Sequence, residues 1–585
     1  MLSFYENYKK FILPAILAVI YCLFITVTWG KWGNIIADCF REMIIPQALN
    51  EGKILYSDIT CLYPPLAYQL NALLFRFFGN SLNVLYISGI TCSSIILCLL
   101  YKLTQNHSSH ETAFVTVLSA MGIFTFRILP LNFASWFFPY SYSFLYSFTA
   151  CFAAFYFYIL FFDKQNEKYL YLSVLMTGLS VAFKPDFLIF GILPLISALK
   201  SKNLRKIFIS LTCLVLPFCA TFILWFLSGG SFEILAQQKD FLVNFAKAPS
   251  VLLFNKLLLV QTINKYTINV LSFSAINFLI QIGIITFFSV IAVFITTKIK
   301  NLILKNIFIL LSFFTGYITI FKNIAISHLK INVHTNLVFL PYFIFAATII
   351  FLFLKNKSKN YTDKDKFYLL TAVSAFLISY RILAALFISY IGNFIAVLYW
   401  LTFVFLLLEI LPEYCSKLRT NLYKKTVAVI FLIYSLTYSV LYLSNAANMQ
   451  SKIESEKGVY YGGIRTAAFR QAIDYVNKNI PPEKSVLVVD EGTVINYFTD
   501  RKTNLKYYAL IPHYIDTFGE DKIITDLDRN KPDYIFITNN DYIFIGKFGQ
   551  NYAKNIMNYI YSKYEATETF KSADNFKITV MKLKI

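Results

Sequence analysis

The sequence predicts a polytopic α-helical membrane protein, with about thirteen transmembrane helices and a soluble α/β domain at its C-terminus. Three observations support this class. Hydrophobic residues make up 57% of the chain and charged residues only 15%, whereas soluble domains carry about a quarter charged residues. The apolar residues form separate runs near the ~20 residues that cross a bilayer. Beyond Asn445 the chain becomes polar, and strand patterns alternate with helix patterns.

The apolar runs, taken in order, predict the membrane spans. We place them at 11–30, 83–103, 112–129, 140–162, 169–183, 187–199, 207–227, 270–297, 306–321, 337–354, 367–389, 393–411 and 426–444. The basic loops around Lys202, Lys300, Lys357 and Lys424 fall on one side if every run crosses once, and Lys9 falls there too. Because cytoplasmic loops are rich in Lys and Arg, we expect a cytoplasmic N-terminus in the plasma or inner membrane, with the C-terminal domain outside.

The formal charge of +21 does not indicate a nucleic-acid partner. From Lys452 onward the chain has 19 basic and 17 acidic residues, so the excess lies in the membrane part. Most of it is in the short loops between apolar runs, as membrane topology requires. The predicted surroundings are therefore membrane lipids and not nucleic acid.

The predicted domains are a transmembrane catalytic domain over 1–450, with an outer loop at 31–82, and an extracytoplasmic domain over 451–585. In the second, strands are expected at Ser485–Asp490, Asp533–Thr538 and Phe576–Leu583, and helices at 464–479, 517–530 and 547–563. This alternation is typical of a small three-layer α/β domain. A further outer loop, 228–269, predicts an amphipathic helix that either lies in the membrane interface or packs on top of the bundle.

The first outer loop concentrates polar chemistry beside the membrane. It contains three acids, Asp38, Glu42 and Asp58, and charged groups in such positions are costly enough to suggest a function. Its two cysteines, Cys39 and Cys61, either form a disulfide or remain free, since spacing alone does not show the required geometry.

The order of motifs in this loop resembles the GT-C class of polyprenyl-phosphate-dependent glycosyltransferases. An acid follows the first span, then Gly52-x-x-x-Tyr56-x-Asp58, then Tyr63-Pro-Pro-Leu66 and a helix that ends in Phe-Gly79. Protein O-mannosyltransferases and lipid A aminoarabinose transferases are relatives of this kind. Ala182-Phe-Lys184-Pro185 resembles their Lys-containing turn, and the segment from His334 to Leu340-Pro341 resembles their segment ending in Leu-Pro. The likeness extends over nearly the whole chain.

The resemblance implies transfer of a sugar from a polyprenyl-phosphate-sugar donor to a hydroxyl of a glycan, lipid or protein acceptor on the outer side. Asp38 would then be the general base, because a carboxylate can take the acceptor's proton; otherwise it is a helix cap or an interface acid. Asp58 would hold a metal ion or orient the acceptor, unless it is an ordinary turn residue. Glu42 either shares the site of Asp38 or faces water.

The resemblance also implies cations for the leaving lipid phosphate, which carries negative charge. The candidates are Lys184, Arg381 and Arg127, with His334 expected to contact the donor. Arg381 lies in the outer part of its run and either reaches the site or extends to the interface. In the soluble tail, Asp490, Glu491 and Arg501 are candidates for acceptor binding, unless the tail is a structural lid.

Metal dependence stays open at this stage. Many relatives have a further acid in the second outer loop, and residues 129–140 contain none. A divalent ion, with Asp58 as a candidate ligand, is the only cofactor considered. The Asp363/Asp365 and Asp526/Asp528 pairs are expected to be solvated faces. The alternative functions are a polytopic transporter, or a flippase or ligase for lipid-linked or soluble sugars.

Overall fold

The computed structural model describes residues 2–263 and 339–584, apart from residue 37 and residues 130–134, 357–359, 384–388, 416–417, 419 and 543–544, and only isolated positions between 264 and 338. The helices of the membrane part are α1 (Leu2–Thr28), α2 (Arg41–Asn50), α3 (Leu66–Phe78), α4 (Leu82–His107), α5 (His110–Ala120), α6 (Tyr142–Lys164), α7 (Glu167–Phe183), α8 (Ile192–Lys200), α9 (Leu204–Leu227), α10 (Phe232–Lys247), α11 (Pro249–Ile263), α12 (Leu340–Asn356), α13 (Asp363–Leu383), α14 (Ser389–Phe405), α15 (Leu411–Tyr414) and α16 (Asn421–Ala447).

Among the described residues, six helices are long and apolar enough to cross a membrane. They are Tyr8–Thr28, Leu82–His107, Tyr142–Lys164, Leu204–Leu227, Ile395–Tyr414 and Tyr423–Ala447. The predicted class, a helical protein with many spans, is thereby confirmed. The predicted runs 270–297 and 306–321 fall outside the described residues, so the number thirteen stays a prediction.

Three predicted spans are not simple α-helices. The run 112–129 consists of α5 followed by a π-helical turn, Met121–Thr125, and the run 187–199 consists of a 3-10 turn, Pro185–Gly191, followed by the short α8. A second π-helical turn, Leu406–Ile410, interrupts the helical stretch between α14 and α15. Such turns shift the backbone hydrogen bonding, which hydrophobic patterns do not reveal.

Aromatic side chains fill the interior of the bundle. Trp400 is fully buried against Phe124, Phe431 and Tyr434, with ring centroids 5.2–6.2 Å apart. Its indole N–H donates to the Ser119 hydroxyl at 2.7 Å, so the polar atom of this ring has a partner. Aromatic contacts at these distances add stability beyond the burial of area.

The end of the bundle with the α4–α5 turn carries buried ion pairs. Glu409 accepts hydrogen bonds from the Ser108 hydroxyl at 2.5 Å and from Lys364 Nζ at 2.7 Å. Asp365 is fully buried and pairs with Lys355 at 2.5 Å. The expectation that Asp365 lies on a solvated face is therefore wrong: its carboxylate is buried because a lysine compensates its charge.

The C-terminal part begins with a hairpin and continues as an α/β arrangement. Its strands are β1 (Ser451–Ser455), β2 (Gly458–Gly462), β3 (Val486–Val489), β4 (Tyr534–Thr538), β5 (Asp541–Tyr542), β6 (Gly546–Lys547), β7 (Tyr564–Lys571) and β8 (Lys577–Leu583). Its helices are α17 (Thr466–Asn479), α18 (Val494–Thr499), α19 (Pro512–Phe518), α20 (Glu520–Arg529) and α21 (Lys554–Lys563). The four-stranded sheet has the order β3-β4-β8-β7; β3 and β4 are parallel, and the other neighbours are antiparallel.

Helices cover both faces of this sheet. Val486 and Val488 of β3 belong to a core with α17 and α18, whereas Leu487 and Val489 belong to a core with α19, α20 and α21. Alternate residues of a strand point to opposite faces, so the two cores lie on opposite sides of the sheet. The predicted strand-containing α/β tail is confirmed. The division of the chain at 450/451 into two domains is kept as a proposal.

The tail packs directly on the first outer loop. Three backbone N–H groups connect them: Tyr461 donates to the Gly30 carbonyl at 2.8 Å, Leu82 to Lys457 at 2.9 Å, and Thr60 to Lys506 at 2.9 Å. Helix α10 also contacts the tail: Phe241 stacks on Phe518 of α19 with ring centroids 5.2 Å apart. The amphipathic helix predicted in 228–269 thus has a protein partner on one face.

Candidate active site

The loop that follows α1 is held against the segment before α6. Gly33 has φ +88°, and a Cβ built there would lie 2.3 Å from Cδ1 of Phe138. Any other residue would clash, so glycine is required for this close approach. Trp32 is fully buried, with its ring centroid 4.8 Å from that of Phe137. These contacts fix the course of the chain just before Asp38.

Asp38 lies where this loop turns into α2. Its φ is +56°, a left-handed conformation that Asp tolerates better than most residues. Oδ1 accepts a hydrogen bond from Nη1 of Arg41 at 2.6 Å, and the side chain is 38% exposed. The carboxylate is thus fixed by one partner and still open to the surroundings.

Arg41 connects several groups of the site. Its side chain is 5% exposed, and besides Asp38 it binds Glu42 Oε1 through Nε at 3.2 Å and through Nη2 at 3.1 Å. Nη2 also donates to the backbone carbonyl of Tyr140 at 2.8 Å. The guanidinium carbon lies 5.2 Å from the ring centroid of Tyr63. Arg41 had no predicted role, although it lies three residues after Asp38 at the start of a helix.

Glu42 is a buried anchor of this cluster. Its side chain is fully buried, and besides the Arg41 bonds it accepts from Tyr68 Oη at 3.1 Å and from the backbone N–H of Tyr142 at 3.0 Å. Burial raises the pKa of Glu42, and the charge of Arg41 opposes that rise. Of the two alternatives drawn from the sequence, Glu42 shares its arginine with Asp38 and does not face water.

Lys184 lies at the end of α7 and reaches the same group of aromatic rings. Its Nζ is 3.2 Å from Oδ2 of Asp186, 3.4 Å from Tyr140 Oη and 4.9 Å from the ring centroid of Tyr63. The ring of Tyr63 therefore contacts both Arg41 and Lys184. Tyr140 also contacts both: its backbone carbonyl accepts from Arg41, and its hydroxyl group lies beside Lys184. The structure thus brings Asp38, Glu42 and Lys184 into one cluster, together with Arg41, Tyr63, Tyr140 and Asp186.

The C-terminal domain contributes a carboxylate to the cluster. Glu491, the second residue after β3, accepts the backbone N–H of Asp38 through Oε1 at 2.9 Å. Its other oxygen accepts from Tyr542 Oη at 2.8 Å. Burial and the charge of Asp38 raise the pKa of Glu491. The sequence suggested Glu491 only as an acceptor-binding residue, because nothing in the pattern places it next to Asp38.

The remaining predicted residues lie elsewhere. Asp58 is exposed; its Oδ2 accepts the backbone N–H of Ile54 at 2.8 Å, and its Oδ1 accepts from the Ser57 hydroxyl at 3.2 Å, all within one turn. Arg127 is 2% exposed, and its positive charge lies close enough to the side chain of Tyr442 in α16 to interact with it electrostatically.

Three further predictions concern residues outside this cluster or outside the described part of the chain. The side chain of Arg381 and the whole of His334 lie outside the described residues. Arg501 is buried and donates to the carbonyl oxygens of Thr499 and Ile480, both at 2.6 Å, so in this structure its guanidinium serves the fold of the tail.

The donor set near Asp38 does not fit a divalent cation. In the ranges described, no three His, Cys, Asp or Glu side chains are grouped as metal ligands. The charge of the Asp38 carboxylate is compensated by Arg41, and the carboxylate of Asp58 is used within its own turn. Cys39 and Cys61 are both buried and free, so the structure has no disulfide between them.

Comparison with known proteins supports the predicted resemblance. Residues 63–225 match the family model described as dolichyl-phosphate-mannose-protein mannosyltransferase. The matched segment contains Tyr63, Tyr140 and Lys184, and begins after Asp38. This match confirms the predicted likeness to GT-C glycosyltransferases and the prediction that the chain is a glycosyltransferase. No curated protein matches the chain.

Solved structures of an oligosaccharyltransferase from Archaeoglobus fulgidus are also similar. AglB in complex with an inhibitory peptide and a dolichol-phosphate has 11% identity, with 91% of this chain and 70% of that chain covered and a TM-score of 0.45. The apo form has 10% identity, 90% and 70% coverage and a TM-score of 0.48. A form tethered to an acceptor peptide has 12% identity, 91% and 69% coverage and a TM-score of 0.44.

Proposed function

We propose that this glycosyltransferase moves a sugar from a polyprenyl-phosphate-sugar donor to an acceptor hydroxyl at the extracytoplasmic face of the membrane, with Asp38 as the general base. One observation carries the proposal. The half-exposed carboxylate of Asp38 lies in one cluster with two cations, Arg41 and Lys184, that share the rings of Tyr63 and Tyr140. A base and a phosphate-binding charge are the two groups that this transfer needs.

In the proposed reaction Asp38 acts on the acceptor, whereas Arg41 and Lys184 act on the phosphate of the donor. The acceptor oxygen forms a bond to the anomeric carbon while its proton passes to a carboxylate oxygen of Asp38. The bond from the anomeric carbon to the phosphate oxygen breaks, and its electron pair leaves with the polyprenyl phosphate. Arg41 and Lys184 lie where they can stabilise that negative charge in a setting of low polarity.

Lys184 is the stronger candidate for the phosphate. Arg41 already has Asp38, Glu42 and a carbonyl as partners, so its donors are largely occupied. Lys184 has the single carboxylate of Asp186 at 3.2 Å and a phenol at 3.4 Å, and an ammonium group can bind a phosphate as a point charge.

The outer side of the membrane is favoured for the chemistry by the charge distribution. The basic loops predicted to be cytoplasmic include Lys202, whereas the first outer loop and the C-terminal tail contact one another at the opposite end. The acceptor then approaches from water and the donor from the lipid phase. We propose a glycan, a lipid or a protein as the source of the acceptor hydroxyl.

The test begins with a strain that lacks the gene. Mass spectrometry of its membrane lipids and surface glycans, compared with wild type, identifies the missing product. Detergent-treated membranes of this strain retain unused donor and acceptor, so purified protein added to them should form that product. Asp38→Asn should reduce the rate by about a hundred- to ten-thousand-fold, the usual contribution of general-base catalysis.

Asp58→Asn is the matched control, because it makes the same change at an exposed acid of the same loop. It should leave the rate nearly unchanged. A normal rate for Asp38→Asn would remove Asp38 as the base.

The proposed phosphate contact has its own pair of variants. Lys184→Ala should raise the amount of lipid extract needed for half-maximal rate by at least about tenfold, because a charge that stabilises the phosphate is removed. Lys206→Ala is the control: Lys206, in α9, is also buried and pairs at 3.2 Å with Glu167, which begins α7. Equal effects of the two variants would contradict a specific role for Lys184.

A further inference from the structure

Glu491 belongs to a rigid loop at the carboxyl end of β3. The preceding Asp490 is fully buried and accepts hydrogen bonds from the Thr538 hydroxyl at 2.5 Å and from Tyr552 Oη at 3.1 Å. The following Gly492 has φ +149°, and a Cβ there would lie 3.0 Å from atoms of Phe469 and of Val488. The packing of Asp490 and Gly492 therefore fixes the backbone position of Glu491.

The carboxylate of Glu491 is buried without a compensating cation of its own. The residue is 6% exposed, and its hydrogen-bond donors are a backbone N–H, that of Asp38, and a phenol, that of Tyr542. Within the parts of the chain that the structure describes, no Lys or Arg pairs with it. A buried carboxyl without an ion-pair partner costs stability once it ionises, so packing alone would be served better by a residue that stays neutral.

The contact with Asp38 is made at a strained point of the chain. Asp38 has φ +56°, and a non-glycine residue in the left-handed region is stable only where its surroundings hold it. Glu491 accepts the N–H of that residue, and Arg41 holds its carboxylate from the other side. The two bonds together fix both the main chain and the side chain of Asp38.

We propose that Glu491, supplied by the C-terminal domain, is a positioning residue of the transfer reaction: its carboxyl group holds the main chain of Asp38, and its negative charge strengthens the attraction of the Asp38 carboxylate for the acceptor proton. This inference rests on the proposed role of Asp38 as base. It makes the C-terminal domain part of the active site, because that domain supplies the acceptor for the Asp38 N–H.

The charged and titratable groups that face Glu491 are Asp38, its neighbour Asp490 and the phenol of Tyr542, with Arg41 beyond Asp38. Burial and the nearby acids raise the pKa of Glu491, so it binds a proton at a higher pH than an ordinary glutamate. As the pH rises through this titration, a second negative charge develops beside Asp38. Because a base of higher proton affinity accelerates proton transfer, the rate should rise with it.

The experiment measures the product formed in detergent-treated membranes of the strain lacking the gene, with full-length protein, across a pH range of about 6 to 9. Glu491→Gln keeps a side-chain oxygen for the Asp38 N–H and removes the charge. We expect it to be active, to lack the rise of rate with pH, and to be slower than wild type at the alkaline end. Glu565→Gln, on exposed strand β7, should behave as wild type.

A pH profile of Glu491→Gln that superposes on that of wild type would overturn the inference, and leave the role of Asp38 intact. Glu491→Ala, which also removes the acceptor for the N–H, should be slower than Glu491→Gln at every pH. If Glu491→Ala does not fold, the glutamine variant alone decides the question. Failure of the proposed function is a separate result, seen as normal transfer by Asp38→Asn.

Discussion

Replacing Arg41 by methionine should destabilise the protein in a pH-dependent way. Methionine keeps much of the volume but leaves the fully buried carboxyl of Glu42 with only Tyr68 and the Tyr142 N–H as donors. Removing one partner of a buried ion pair costs about 3–5 kcal/mol. We expect the free energy of unfolding of Arg41→Met to fall by this amount at a pH where Glu42 stays ionised.

The loss depends on whether Glu42 can take up a proton. Burial raises the pKa of Glu42 above the value of about 4.3 in an unfolded chain, and removal of Arg41 takes away the charge that opposes this rise. A carboxyl with a raised folded pKa contributes stability below its unfolded pKa, and this is lost as the pH rises through the folded value. The apparent Tm of Arg41→Met in detergent should therefore fall further below that of wild type at about pH 8 than at about pH 5.

The double variant Arg41→Met/Glu42→Gln removes the buried charge and should recover most of the lost stability at pH 8. Arg76→Met, at an exposed arginine in the same outer loop, should change stability by no more than about 0.5 kcal/mol. An apparent Tm of Arg41→Met equal to that of wild type, or a double variant no more stable than the single one, would refute the assignment of Arg41 and Glu42 as a buried pair.

Three further results are expected. Gly33→Ala should lower both the apparent Tm and the rate of transfer because its Cβ has no space, whereas Gly52→Ala, at a similar φ of +87° with nothing within 4 Å, should keep the rate; equal rates would contradict the close packing. Burial raises the pKa of Asp490 to about 7, so its stabilising contribution is lost as the pH rises through about 7; the apparent Tm of wild type should decline there, and that of Asp490→Asn should decline less, because the buried Glu491 still titrates. A cysteine at Asn530 should react with an impermeant thiol reagent in intact cells above the background of the parent, and one at Lys202 should not; the reverse would invert the proposed topology.

The sequence was sufficient for the class of the fold and for part of the site. Apolar runs and the later alternation of patterns predicted the helical bundle and the α/β tail, because both depend on local periodicity. Strand β7 was missed because most of its residues are exposed and polar, so it has no apolar alternation. The break of the third run at Met121–Thr125 was missed because a π-helical turn leaves the hydrophobicity unchanged.

Within the site, a motif identified Lys184 as a candidate residue. The sequence did not predict that Arg41 and Glu491 lie next to Asp38. Arg41 lies three residues from Asp38, and only the left-handed turn at Asp38 directs the two side chains toward each other. Glu491 is separated from Asp38 by more than 450 residues, and their contact depends on how the tail packs on the outer loop. Such contacts follow from tertiary packing and leave no periodic signal in a single sequence.

The packing of the tail on the outer loop also determines when the site can form during synthesis. The loop that holds Asp38 is synthesised before its partners in the tail, Glu491 among them. Until the ribosome has completed the tail, the early loop lacks the acceptor for its Asp38 N–H and the backbone bonds at Gly30, Thr60 and Leu82. A nascent chain that has inserted its spans but not yet folded the tail would therefore still lack these contacts with the loop of Asp38.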